Sequence, residues 1–522
     1  GEKMKYTFKM LPCEYWWGGS TNDGVIMPFS ADTEFEADFR KKCPNQGMPL
    51  FLSSRGRYIW SDEPFSVGIK NGVITAEGEN ITLTEAGDCL RDAYLDASKN
   101  HFPFCGKMPR REFFETAQYN TWMEFTYNQN QKGILEYAHA IIENGMKPGI
   151  FIIDEGWQKA YGDWQFDTAK FPDAKAMVEE LHALGFKVML WIVPYVMPCG
   201  VKWIREVKGY RTPEGKRHFL RNEGGEPAIL DWWNGYSAVL DFENPDDCEF
   251  LDSMLRMLME DYGIDGFKFD GGTLADFTGD EVINGRFRGS ENNAHFAMQK
   301  NIAWNEFGMR YPFHEYKDTF KGGGKPVIQR LRDRGHRWDE DGINTIIPNG
   351  LAQGLLGYPF ICPDMIGGGE WSVNIRPDFR IDEELFVRMA QVSVFFPMMQ
   401  FSWAPWRALS KENFEIVKKA AELHAALAPE IISEVEKAAK TGEPILRHLE
   451  YAYPHRGYHN INDEFLCGGD ILVCPVVTKG TFEKDIVVPS GRWQSEDGTV
   501  YTEGTHRVKT PLDRIFYLRK VK

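Results

Sequence analysis

Four aspartates end or closely follow short apolar runs. Asp154 closes GIFIID, Asp270 closes GIDGFKFD, Asp333 comes just after VIQRLR, and Asp364 follows YPFICP. A carboxylate beside a buried run needs a partner. Taken singly, each reads equally well as a helix N-cap or a surface turn. Taken together, they favour an active site.

Asp270 is the best single candidate. Lys268 lies two residues before it, on the same face of a strand. An ammonium beside Asp270 lowers its pKa and keeps it ionised, as a nucleophile must be. Gly271 and Gly272 leave room for a substrate beside it. A purely structural Lys–Asp pair is the alternative reading.

The elements that must position these residues alternate. Residues 120–126, 149–154, 187–195, 264–270, 326–330, 357–363 and 394–401 read as strands, and residues 131–144, 174–184 and 248–262 as helices. Apolar strands alternating with helices indicate a parallel sheet buried on both faces. Over this length a closed (β/α)8 TIM barrel is expected, spanning residues 114–442 and ending in a long helix at 411–440. No GxGxxG follows a strand, which disfavours a dinucleotide fold. In such a barrel chemistry sits at the C-terminal ends of the strands, where the four aspartates fall. Trp191 and Trp403 also fall at strand ends and are candidates for stacking on a ring, with core packing as the competing reading. Residues 1–113 carry short alternating runs between Gly, Asn and Asp turns and read as an N-terminal β-sandwich domain. Residues 443–522, with strands at 471–477 and 485–489, read as a C-terminal β-sandwich domain.

Composition narrows the function. The chain has 522 residues and a net charge of −16, with no basic stretch to neutralise phosphates, which argues against a nucleic-acid partner. No apolar run reaches the roughly 18 residues of a membrane span. The 9 cysteines are scattered, odd in number and without a CxxC, so neither a disulfide framework nor a zinc site is indicated. The 12 histidines form no HExxH and no close ligand cluster, and no metal or organic cofactor is expected. No targeting segment stands in the chain as given. Gly1 in place of Met leaves room for an export signal removed upstream, so the compartment stays open, as does assembly into a homo-oligomer.

In order along the chain, IIDEGW, GIDGFKFDGG, YPFICPDMIGG, DEFLCGGDILVCPVVTKG, VVPSGRW and PLDRIFYLR resemble the successive motifs of glycoside hydrolase family 31. The resemblance implies an exo-acting α-glycosidase that retains anomeric configuration through a covalent glycosyl-enzyme, with an oligosaccharide or glycoside as its partner. It makes Asp270 the nucleophile and assigns Asp154, Lys268 and Asp364 to the sugar hydroxyls. The family commonly has Gly-Asp, with Trp five residues after the Asp. Asp333 and Trp338 keep that spacing, with Arg332 in place of the Gly, so the acid/base falls on Asp333 and Trp338 joins the binding residues. Asp339, Glu340 and Asp341 stand close by as alternatives. Two roles require two environments: Asp270 charged beside Lys268, and Asp333 held protonated by a drier or more negative setting. Retention implies carboxyl groups about 5–5.5 Å apart.

The sequence departs from the family's glucosidases where they carry Arg-Asn-His and this chain has Gln400-Phe401-Ser402-Trp403. FKFD, CPDMIGG and the EYWWGG segment resemble the α-galactosidase-like branch, which implies a galactose preference and places Trp16 or Trp17 near the sugar. An α-glucosidase, α-xylosidase or α-N-acetylgalactosaminidase of the same mechanism is the alternative. A barrel that binds glycans without cleaving them is the alternative of another class.

Overall fold

The computed structural model describes residues 4–198, 218–290, 293–373 and 376–521. Its centre is a parallel barrel of short strands: Gln118–Asn120, Ile150–Ile153, Lys187–Ile192, Gly266–Phe269, Phe313–Tyr316, Ile328–Arg330, Ile361–Cys362 and Gln400–Phe401. Each pairs in parallel with its predecessor up to the seventh. The seventh is broken. Ile361–Cys362 pairs with the sixth strand, while Met365–Ile366 pairs with the eighth, which in turn pairs with the first. The ring therefore closes through one interrupted segment. Pro363 has no N–H to give the ladder, and Asp364 adopts φ 70° in the left-handed region, which Asp tolerates better than most residues.

Helices pack around this ring. Gln131–Glu143, Ala174–Ala183, Pro245–Tyr262, Glu383–Ser393 and Lys411–Thr441 each begin at a side chain that accepts a backbone N–H: Asn130, Asp173, Asn244, Asp382 and Ser410. Such caps contribute about 1 kcal/mol each. Among the described residues no helix is long and apolar enough to cross a membrane.

Three expectations about the elements need correction. The first strand ends at Asn120, and residues 122–125 form a helical turn whose first N–H is captured by the Asn120 side chain. Residues 394–401 follow a helix that ends at Ser393 and are mostly turn and loop, with only Gln400–Phe401 extended. The strand Phe313–Tyr316 went unexpected because it contains His314 and Glu315. His314 bonds the carbonyls of Tyr311 and Pro326, and Glu315 pairs inside the barrel with Arg330 at 2.6 Å.

Before the barrel, two antiparallel sheets enclose a core that contains Trp16, Phe29, Phe51, Tyr58 and Ile74. After it, six strands form one antiparallel sheet whose long hairpin bends between Val488 and Arg492. One connection matters for the site. Just past the fifth barrel strand, Thr319–Phe320 adds in parallel to Gln46–Ser53 of the N-terminal sheet. Gln46 fastens this joint by donating to the carbonyls of Lys317 (2.9 Å) and Arg330 (2.7 Å).

Candidate active site

The C-terminal ends of the barrel strands surround a cavity of about 430 Å³. Asp154, Trp191, Lys268, Asp270 and Asp333 all line it. Three other candidates lie elsewhere. Trp17 is buried in the N-terminal core, edge-on to His448 at 5.5 Å. Trp338 bonds Asp382 at 3.0 Å, and Trp403 stacks on Phe379 at 5.7 Å. None of the three lines the cavity. Asp339 pairs with Arg337 and Asp341 with Arg332, and together with Glu340 they stay outside it.

Asp270 follows the fourth strand. Its backbone N–H donates to the carbonyl of Ile192, which fixes the turn. Trp191 Nε1 donates to one carboxylate oxygen at 3.0 Å and the N–H of Gly271 to the other at 2.9 Å. Two donors thus hold the carboxylate, and among the described residues no cation forms an ion pair with it. Lys268, expected to be that cation, instead donates to Asp154 at 2.7 Å. Both points change the reading of KFDGG. The same-face rule placed Lys268 correctly toward the interior, but the carboxylate within its reach belongs to the second strand. Nor do Gly271 and Gly272 leave space for a substrate. Both have φ near 60°, and a Cβ there would meet the Tyr195 ring at 2.6 Å and the Trp304 ring at 2.4 Å. They are glycines because aromatic rings press against them.

Asp154 is buried, which raises its carboxyl pKa, but the Lys268 ammonium and the donors of Glu155 and Asn120 outweigh that and hold it below the ordinary value. Asp333 shows the same contest with a different cation. Burial pushes its pKa up, yet Lys317 lies 2.6 Å away and holds it below the usual carboxylate range. The expectation that Asp333 rests in a setting that keeps it protonated is therefore corrected: it pairs with the Lys317 ammonium, which favours its ionised form.

Asp364 is buried and does not line the cavity. Burial first, and the charge of Asp333 next, push it up to about 6, against the pull of Arg330 at 3.2 Å. Arg330 also bonds Gln400, which donates to Gln118 at 3.0 Å. This buried polar belt ties the first, sixth, seventh and eighth strands together beneath the site.

Several cavity residues went unnoticed in the sequence. Glu155 adjoins Asp154 in IIDEGW and is buried. Burial and the nearby charges of Asp270 and Asp154 push its carboxyl up to about 8. Lys317 directly follows the strand Phe313–Tyr316, which the apolar pattern passed over. Trp122, Tyr127 and Trp371 meet edge-on as an aromatic wall, Trp233 lines the same cavity from a separate cluster with Trp232 and Tyr195, and residues 42–45 reach in from the N-terminal domain. A composition rich in Trp was the only hint of that wall.

The comparisons with known proteins agree with this architecture. Residues 111–434 match the model of the glycosyl hydrolases family 31 TIM-barrel domain, and residues 442–520 that of the family 31 C-terminal domain. Mouse myogenesis-regulating glycosidase is 33% identical over 428 residues, covering 79% of this chain and 56% of that protein. Alpha-xylosidase XylQ of Lactiplantibacillus pentosus is 24% identical, over 87% of this chain and 60% of its own length. The chain thus spans little more than half the length of these curated relatives. A family 31 dextranase of Flavobacterium johnsoniae, solved with glucose, shares the fold with a TM-score of 0.83 at 20% identity, over 99% of this chain and 66% of that one.

Proposed function

The chain belongs to glycosyl hydrolase family 31, and from that premise we propose that it hydrolyses a terminal α-linked sugar with retention, using Asp270 as nucleophile and Asp333 as acid/base. The observation that carries this reading is the convergence of both carboxylates, from the ends of the fourth and sixth strands, on one cavity. Asp270 attacks the anomeric carbon while Asp333 protonates the departing oxygen, and in the second step Asp333 takes a proton from water. Trp191 and the Gly271 N–H aim the attacking carboxylate. Asp154 and Lys268 offer a charged, prealigned pair to the sugar hydroxyls. The acidic pocket suits a transition state with partial positive charge at the anomeric carbon.

Lys317 sets the working pH. Asp333 must carry a proton to start the reaction, and Lys317 makes that proton scarce at neutral pH, so turnover favours acidic conditions. Galactose is the favoured sugar. Glucose, xylose and N-acetylgalactosamine are the alternatives, and a panel of aryl α-glycosides decides among them. The same Lys317–Asp333 pair favours a second reading, a glycan-binding barrel whose acid is permanently ionised. Hydrolysis of an unactivated oligosaccharide that disappears in both D270N and D333N supports catalysis. Sugar binding without turnover at any pH from about 4 to 8 supports the second reading.

A further inference from the structure

We propose that the tip of the hairpin formed by Ile229–Trp232 and Gly235–Val239 is the subsite for the leaving-group sugar, with Trp233 as its stacking platform and Glu155 as its hydroxyl-binding group. This deepens the glycosidase reading and rests on it.

The two-residue tip, Trp233 and Asn234, leans on Glu155 from above. Asn234 Nδ2 bonds Glu155 Oε1, Trp233 Nε1 reaches it at 3.3 Å, and Tyr161 donates to it at 2.8 Å. Oε1 is therefore saturated. Oε2 has only the 3.4 Å approach of Trp233 among the described contacts, and it belongs to a side chain that lines the cavity. A carboxyl oxygen with spare capacity in a polar cavity calls for a partner.

Trp233 is 51% exposed, whereas Trp122 and Trp191 on the same cavity are buried. Yet its ring is not loose. It stands edge-on to Trp232 at 4.8 Å and to Tyr195 at 6.2 Å, and its indole N–H is directed at Glu155. A half-exposed indole held in one orientation at a polar cavity is suited to the apolar face of a pyranose ring. Depth assigns the subsite. The buried Trp191 bonds Asp270, where the terminal sugar must sit for attack, so the exposed ring of Trp233 on the same cavity is left for the next sugar, and Glu155, though itself buried, goes with Trp233 through the contacts that bind it to the hairpin tip. The state of Glu155 fits this role. Its proton, retained up to about pH 8, lets it donate to a hydroxyl and avoids a third negative charge beside Asp270 and Asp154.

The test compares three substrates of the preferred sugar: α-linked disaccharides of each linkage, an aryl α-glycoside and the α-glycosyl fluoride. Relative to the fluoride, kcat/KM for the best disaccharide should fall about ten-fold or more in W233A and in E155A, chiefly through KM, and less in E155Q, which keeps a neutral hydrogen-bonding group. An equal fall for fluoride and disaccharide, or no fall, overturns the assignment. So does an E155A loss on the aryl glycoside that azide restores, because that makes Glu155 the acid/base. If the wild type cleaves none of the three, the glycosidase reading fails by itself. Calorimetry of disaccharide against monosaccharide then decides the subsite: W233A must weaken the disaccharide selectively, and equal affinities in wild type and variant overturn it.

Discussion

Lys317 Nζ lies 2.6 Å from Asp333 Oδ2, joining the ends of the fifth and sixth barrel strands across the mouth of the site. The pair makes the acid/base a carboxyl that is reluctant to hold its proton, against the pull of its own burial. Replacing Lys317 by Gln removes the ammonium and lets Asp333 protonate at higher pH. The alkaline limb of the kcat/KM profile on an aryl α-glycoside should then move up by about one pH unit or more. An unmoved limb would mean that Asp333 is not the group whose protonation the first step needs.

Glu155 yields a prediction about stability. Its pKa rises from 4.5 to about 8 on folding. Between those values the unfolded chain has lost this proton while the folded chain keeps it. Unfolding therefore releases a proton, and stability falls as pH rises through the window, by up to about 1.4 kcal/mol per pH unit. In E155Q that slope is gone. The difference in Tm between E155Q and wild type should grow in favour of the variant from about pH 5 to about pH 8. A gap that stays constant with pH would contradict the protonated state.

Lys268 and Asp154 form a buried pair, with side chains 5% and 4% exposed. Removing one partner strands the other charge. K268M should lose about 3–5 kcal/mol in urea unfolding at neutral pH, and K268M/D154N should recover part of that loss. Because Asp154 is held below its ordinary pKa, the pair's stabilisation is complete above the unfolded value and is lost as pH falls through the lowered one. The gap between K268M and wild type should therefore narrow in acid. A loss under about 1 kcal/mol at neutral pH would show that the pair contributes little.

The stereochemical outcome tests the division of labour between the two carboxylates. Proton NMR of the first product should show the α-anomer before mutarotation. D333A should retain far more activity on an aryl glycoside with a good leaving group than on an alkyl glycoside, and azide should accelerate it and, by displacing Asp270 from the β-linked glycosyl-enzyme, give an α-glycosyl azide. First appearance of the β-anomer would mean inversion, with a water molecule between the carboxyl groups.

The parts of this site that were legible in the sequence share one cause. Asp154 and Asp270 end strands buried on both faces, and such strands show as uninterrupted apolar runs with a carboxylate where the run stops. Lys317 was not legible, because its strand holds Glu315, whose charge is met by Arg330 on the next strand. No local pattern reveals a pairing between strands. The partner of Lys268 was misread for the same reason: spacing gives the face of a strand, whereas Asp154 reaches that face from two strands away. Trp17, Trp338 and Trp403 showed the converse limit. Position near a motif does not tell a sugar platform from a core ring, and Trp17 is 2% exposed. The bend at Asp364, which closes the barrel and draws this carboxylate beneath the cavity, depends on a φ of 70° that Pro-Asp permits but does not demand.

The most direct measurement is covalent trapping. A 5-fluoro-α-glycosyl fluoride of the preferred sugar should inactivate the protein in step with the incorporation of one sugar. Peptide mapping by mass spectrometry should place that sugar on Asp270. A label on Asp333, Glu155 or any other side chain, or turnover of the glycoside without a trappable ester, would contradict the account.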